Sequence, residues 1–206
     1  MASFEPFLKQ LQQQPNTDTV ANPYRHPHCV ENLRHYLQLM QQEQPQVLLV
    51  GEAPGYKGCG LTGIPFSSGK LFQQVEHPFL QRLAPLLEIP VVDAENTASI
   101  VWRYLAETGV TPLFWNAYPF HPHPEGDPQK NRAPNGVEIS QGVDFLQQLY
   151  SHFQPQIVAG VGRAGCRAAE QSFSNFTISY IRHPSYGGKS DFIAGMEQLY
   201  HSIMID

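Results

Sequence analysis

Four short apolar runs stand out from polar surroundings: VLLV at 47–50, PLFW at 112–115, QIVAGV at 156–161 and FTISYI at 176–181. Each is four to six residues long and shows little alternation. Such runs suit strands covered on both faces, as in parallel sheets. Stretches with helical spacing separate them, at 70–87, 97–108, 137–153 and 163–172, and a last one at 190–203 closes the chain. Upstream, residues 3–13 place Phe4, Phe7, Leu8 and Leu11 on one helical face. Residues 14–29 are rich in turn formers, and 29–44 reads as a second helix. Strand and helix alternate, which predicts an α/β fold: three layers, α/β/α, around a central four-stranded parallel sheet. Residues 1–206 read as a single domain in which 1–45 form an N-terminal helical extension. The sequence contains no internal repeat and no linker.

Composition narrows this picture. Apolar residues make up 41% and charged residues 15%, a globular balance, and 18 prolines with 16 glycines predict long, shaped loops. The net charge of −5 argues against a protein held to nucleic acid by bulk charge. Six of the thirteen basic residues (Lys57, Lys70, Arg132, Arg163, Arg182 and Lys189) nevertheless fall in or beside the strand-end loops, which allows a basic rim on an acidic body. Cys29, Cys59 and Cys166 are odd in number and scattered, so neither a disulfide framework nor a zinc pattern is present. A reduced, cytoplasmic setting and a monomer are expected. The first fifteen residues lack a basic region followed by an apolar run, and no segment approaches the roughly 20 apolar residues of a membrane helix.

The distinctive chemistry follows the apolar runs. GEAPG follows the first, NAYPFHPHPEGD the second, GVGRAG the third and RHPSYGGKS the fourth. Ligands of parallel sheets bind outside the carboxyl ends of the strands, so four such loops would surround one site. GEAPG is not GxGxxG, and no Gly-Lys-Ser/Thr follows at phosphate-loop spacing. No GxSxG elbow is present, and the cysteines lack an evident histidine partner, so an unrelated hydrolase or nucleotide-binding protein is disfavoured. His121 and His123 tempt a metal reading, but no third ligand has a recognisable spacing, and no metal is expected. Phe66, in TGIPFSSG, reads either as packing or as a surface on which a planar base stacks. Asn116 either caps a turn or presents one donor and one acceptor to a ring edge, such as O4 and N3–H of uracil. His183 precedes Pro184-Ser185 and then Gly187-Gly188, a loop rigid at its start and pliable at its end.

Taken together, these residues resemble the uracil-DNA glycosylase superfamily. GEAPG followed by TGIPF is similar to the first motif of its bacterial and archaeal family-four branch. KNRAPN (130–135) and QPQIVAGVGRAGCRAA are similar to later segments of that branch, and RHPS matches the superfamily's His-Pro-Ser loop. The resemblance implies that Phe66 stacks on a flipped base, Asn116 reads its polar edge, and His183 hydrogen-bonds the departing O2. Gly51, Glu52 and Ala53 would floor the site beneath the sugar and the attacking water. Ser185 and its neighbours Tyr186, Gly187 and Lys189, together with Ser67, Ser68 and Arg163, would contact DNA. Tyr56 is a candidate wall against the 5-methyl group of thymine. Two departures stand out. The chain lacks the four cysteines of the branch's iron–sulfur cluster, so no cofactor is expected, and Ala53 stands where other branches carry Asp or Asn, which leaves Glu52 as the candidate to direct water.

The expected activity is that of a monofunctional DNA glycosylase acting in base excision repair. It would hydrolyse the N-glycosidic bond of uracil, or of another deaminated base, after flipping it out of DNA. The alternative is a catalytically silent nucleic-acid-binding member of the superfamily, which a cleavage assay separates from the first reading.

Overall fold

The structure, a computed structural model, describes residues 3–205, with side chains through residue 201. Its main sheet has four parallel strands in the order β3 (Leu113–Asn116), β2 (Val47–Gly51), β5 (Ile157–Val161), β6 (Ser179–Ile181). β2 is buried along its whole length, as the absence of alternation in VLLV requires. The four expected runs all become strands, the last trimmed to three residues. A two-residue antiparallel pair, β1 (Val20–Ala21) with β4 (His121–Pro122), was not legible in the sequence.

Helices cover both faces of the sheet. Trp115 and Phe114 are neighbours in β3 and point to opposite sides. On one side Trp115 meets Phe7 of α1 (Glu5–Gln13), and Phe7 in turn meets Phe145 of α7 (Gly136–Phe153). α8 (Gly162–Ser172) packs beside α7 and against β5. On the other side Phe114 meets Trp102 of α6 (Asn96–Thr108), which stacks on Phe79 of α5 (Pro78–Leu83). Phe79 contacts Tyr36 of α2 (Pro27–Glu43), and Tyr104 of α6 meets Phe192 of α9 (Lys189–Ile205). Phe7, Leu8 and Leu11 are thus core residues, and the N-terminal helices are integral to the fold rather than an extension of it.

β3 is a sheet edge, and an uncovered edge leaves backbone groups unpaired. Tyr36 resolves this. The Phe114 N–H donates to its hydroxyl at 2.8 Å, and the hydroxyl donates to the Phe114 carbonyl at 3.4 Å. The expected single helix over 70–87 is broken into α4 (Leu71–Gln74), α5 and a 3₁₀ turn at Ala84–Leu86. Pro78 and Pro85 are the physical reason, since proline lacks the N–H that a continuous helix needs and clashes with the preceding turn. The chain leaves β2 toward β3 on one side and comes back to β5 on the other. The carboxyl ends of β2 and β5 therefore form a topological switch point, where a crevice opens.

Candidate active site

The first residues to converge are Gly51, Phe66 and Asn116. Gly51 ends β2 beside Asn116, which ends β3. A Cβ added to Gly51 would lie 2.5 Å from Cε2 and Cζ of Phe66 and 3.1 Å from Oδ1 of Asn116. Only the absence of a side chain lets the aromatic ring and the amide approach the strand end this closely. Phe66 is fixed from three directions. Its ring stacks on Phe114 at 4.7 Å, its carbonyl accepts the Trp102 indole N–H at 2.8 Å, and its backbone holds φ +53°. Among the described residues four non-glycine residues have positive φ. Gln44 and Gln154 end helices, and the other two, Phe66 and Tyr186, belong to the candidate site. Strain of this kind costs about 1–3 kcal/mol and concentrates at functional positions.

His183 follows β6 and packs on the end of β5, with its Cβ 3.3 Å from where a Gly162 Cβ would stand. Its Nδ1 lies 2.7 Å from the Ser185 hydroxyl and 3.3 Å from the Ser185 backbone nitrogen. A backbone N–H only donates, so Nδ1 is an acceptor and the ring proton sits on Nε2. Burial pushes the imidazole below its ordinary pKa of 6.5, opposed by the Glu95 carboxylate and aided by Arg182. The result is a neutral imidazole whose Nε2–H has no hydrogen-bond partner among the described residues. Ser185 is therefore committed in part to orienting His183. Tyr186 is 98% exposed at φ +52°, and Gly187 follows at φ +77°, so the loop tip projects into solvent.

Glu52 and Ala53 leave β2 along the rim. The carbonyls of Gly51 and Glu52 accept the N–H groups of Ala117 and Tyr118, at 2.9 and 3.1 Å, which extends the β2–β3 pairing past the strands. The Glu52 side chain reaches solvent, yet partial desolvation by the surrounding protein raises its pKa. The KNRAPN segment fastens the same loop. Asn131 Oδ1 accepts the Tyr56 N–H at 3.1 Å, and Asn135 caps α7 in a reciprocal box with Glu138. Arg132 grips Glu138 with two bonds of 2.8 and 2.9 Å and also donates to the carbonyls of Thr19, His123 and Ala133. Tyr56, with the Lys57 ammonium 5.6 Å from its ring centroid, borders a cavity of about 160 Å³ shared with Asn22, Gly60 and His121. Phe66, Asn116 and His183 do not line that cavity.

Two expectations need correction. Ser67 and Ser68 are 2% and 0% exposed, not available to a DNA backbone. The Ser67 hydroxyl is held by Thr62 at 2.6 Å and by the Ile64 carbonyl at 2.8 Å, because the turn that buries Ile64 and Phe66 takes the serines in with them. The basic rim is also smaller than expected, since Lys57 pairs with Asp93 at 3.8 Å and Arg132 with Glu138. Lys70, Arg163 and Lys189 remain exposed, Arg163 in the first turn of α8.

Three contributors escaped the sequence reading. Glu95 caps α6, accepting the N–H groups of Thr97 and Ala98 at 3.0 and 2.6 Å, and its carboxylate acts on His183. Cys59, in the short helix α3 (Cys59–Thr62), touches the Asn116 amide. His121 is buried, its ring nitrogens 2.8 Å from the Pro54 carbonyl and 3.0 Å from that of Pro128, so it braces the GEAPG loop instead of facing a metal. Each acts through the tertiary fold, and no local motif marks any of them.

Comparison with known proteins bears on this arrangement. A family model described as the uracil DNA glycosylase superfamily matches residues 38–195. The crystal structure of wild-type SMUG2 from Pedobacter heparinus is similar over the full length of both chains, with a TM-score of 0.63 at 15% identity, a likeness of fold. No match was found among curated proteins. The family match spans the first loop, both edges of the crevice and the His183 loop, and on that basis the chain belongs to the uracil DNA glycosylase superfamily.

Proposed function

We propose that the protein is a monofunctional DNA glycosylase that hydrolyses the N-glycosidic bond of uracil, or of a related deaminated base, flipped out of DNA. The observation that carries this reading is the meeting of the Phe66 ring and the Asn116 amide over Gly51 at the switch point of the sheet. An aromatic face stacks a planar base, worth about 1–3 kcal/mol. An amide beside it matches an edge that carries one acceptor and one donor.

The reaction breaks the bond between C1′ and the base nitrogen. The bonding electrons leave with the base, and its O2 gains negative charge. The neutral His183 ring offers an Nε2–H donor for that oxygen without first having to lose a proton. A donor fixed before reaction acts on the transition state more than on the substrate. Water adds at C1′ as the sugar becomes cationic, and its proton passes to a base, for which Glu52 is the candidate. Carboxylates serve this role generally in glycoside hydrolysis. Phe66 and Asn116 are only 9% and 5% exposed, so an incoming base has to part the loops that cover them. Flipping itself costs a few kcal/mol. Tyr186, fully exposed and followed by glycines, is the candidate to enter the gap left in a duplex, and Arg163 and Lys189 to hold phosphates.

The test is a panel of single- and double-stranded oligonucleotides carrying uracil, hypoxanthine, xanthine or hydroxymethyluracil, scored for abasic sites by alkaline cleavage. Release of at least one of these bases is expected. Binding to the oligonucleotides without release of any base would favour a catalytically silent member instead.

A further inference from the structure

We propose that Cys59 is a positioning residue that fixes the orientation of the Asn116 amide and thereby restricts the site to bases with a carbonyl beside an N–H. This rests on the assignment of Asn116 as the base-reading side chain. Asn116 is 5% exposed at the end of β3, and its Nδ2 reaches Cys59 Sγ at 4.0 Å. Sγ is the protein acceptor that Nδ2 finds among the described residues. Cys59 is itself buried, and Tyr24, a buried residue of the 3₁₀ turn Pro23–Arg25, lies close enough to act on it electrostatically. The Tyr24 hydroxyl has no hydrogen-bond partner among the described residues. Tyr24, Cys59 and Asn116 are all buried between the N-terminal segment and the crevice.

A carboxamide turned by 180° exchanges its donor for its acceptor. With one N–H of Nδ2 directed at sulfur, the other N–H and Oδ1 are left in a fixed order. Oδ1 comes over Gly51, where the Phe66 ring also arrives. A fixed N–H beside a fixed oxygen pairs with a carbonyl beside an N–H, the edge shared by uracil and hypoxanthine. Cytosine presents the reverse order, an amino group beside a bare ring nitrogen, and pairs only with the flipped amide. A reversed amide would turn its oxygen toward sulfur, where only the weak S–H donor could meet it, and would bring Nδ2 over Gly51 in place of Oδ1. Burial raises the Cys59 pKa well above its ordinary value, so the sulfur stays a neutral thiol throughout the working pH range. A thiol here is consistent with orienting the amide and not with attacking the substrate.

The experiment compares wild type, Cys59→Ala and Cys59→Ser in two readouts: single-turnover release of uracil from a single-stranded oligonucleotide, and the side-chain amide signals of Asn116 in ¹⁵N–¹H spectra. Cys59→Ala is expected to lower the uracil rate roughly five- to tenfold, the worth of one modest hydrogen bond. It should also shift and broaden the Asn116 amide pair. Cys59→Ser, which keeps an acceptor, should stay close to wild type in both. An unmoved amide pair and an unchanged rate in Cys59→Ala would overturn the proposal. If the wild-type protein releases no base, the glycosylase reading fails. The amide signals then still decide the role of Cys59: a shift in Cys59→Ala that Cys59→Ser reverses upholds it, and no shift overturns it.

Discussion

Gly51 and Phe66 are in such close contact that no side chain fits between them: a Cβ on Gly51 would stand 2.5 Å from the aromatic ring. The ring has no room to retreat, because Phe114 stacks on it and the Trp102 indole holds its carbonyl. Gly51→Ala is therefore expected to destabilise the fold by about 1–3 kcal/mol, the usual cost of overpacking. It should also displace Phe66 and cut base release more than stability alone explains. Urea unfolding and single-turnover kinetics on the same variant check both parts.

Arg132 and Glu138 tie the segment before α7 to that helix, and Arg132 also donates to the carbonyls of Thr19 and His123. Arg132→Ala should cost about 1.5–3 kcal/mol, since it leaves a largely buried carboxylate without its charged partner. The hydrogen bonds from Arg132 depress the pKa of Glu138. The folded state thus favours the carboxylate, and this contribution is complete above the ordinary carboxylate range. It is lost as pH falls through the depressed folded pKa. In Arg132→Ala this contribution is absent, so the deficit relative to wild type should be largest near neutrality and shrink as pH falls, as seen in thermal melts between pH 3 and 7.

On the proposed function, His183 and Glu52 both have to be unprotonated, so both shape the acid limb of the reaction. The His183 imidazole is depressed below 6.5 chiefly by burial, so the unfolded chain takes up a proton at a higher pH than the folded one does. Stability from this residue is complete above about 6.5 and declines as pH falls toward the folded pKa. Activity follows the same limb, because protonating Nδ1 removes the acceptor that holds the Ser185 N–H and turns the ring into a cation. The single-turnover rate should be level above neutrality and fall on acidification, with a midpoint below 6.5. A rate that rises on acidification through this window would contradict a neutral His183.

Tyr186 is 98% exposed, so Tyr186→Ala should leave stability unchanged within about 0.5 kcal/mol. If it fills the gap left by a flipped base, the variant should lose activity on duplex DNA and keep it on single strands. Parallel assays on matched oligonucleotides measure the ratio.

The sheet was legible because its inner strands are covered on both faces, and an unbroken apolar run such as VLLV fits little else, whereas in β6 only Ile181 is buried. The helix expected over 70–87 was not, because its apolar spacing continues across Pro78, where the backbone cannot. β1 and β4 are too short to leave any pattern. The candidate residues Gly51, Asn116 and His183 were legible as positions, at or just beyond strand ends, because strand ends announce themselves. Ser67 and Ser68 could not be read correctly. Two serines in a small-residue loop look solvated, and only the three-dimensional turn that buries Ile64 and Phe66 carries them inside. Glu95, Cys59 and His121 lie far in sequence from the groups they act on, and each reads locally as an ordinary cap, a lone thiol or a metal-ligand candidate.

The central claim is that His183 supplies the donor for a departing base. It is tested most directly by measuring single-turnover uracil release from a labelled oligonucleotide by wild type and His183→Ala, with binding followed by fluorescence anisotropy. The account predicts a rate lower by at least about two orders of magnitude in the variant, in line with the loss of one preorganised donor at a developing oxyanion, with affinity for the oligonucleotide retained. Equal rates in the two proteins would contradict it.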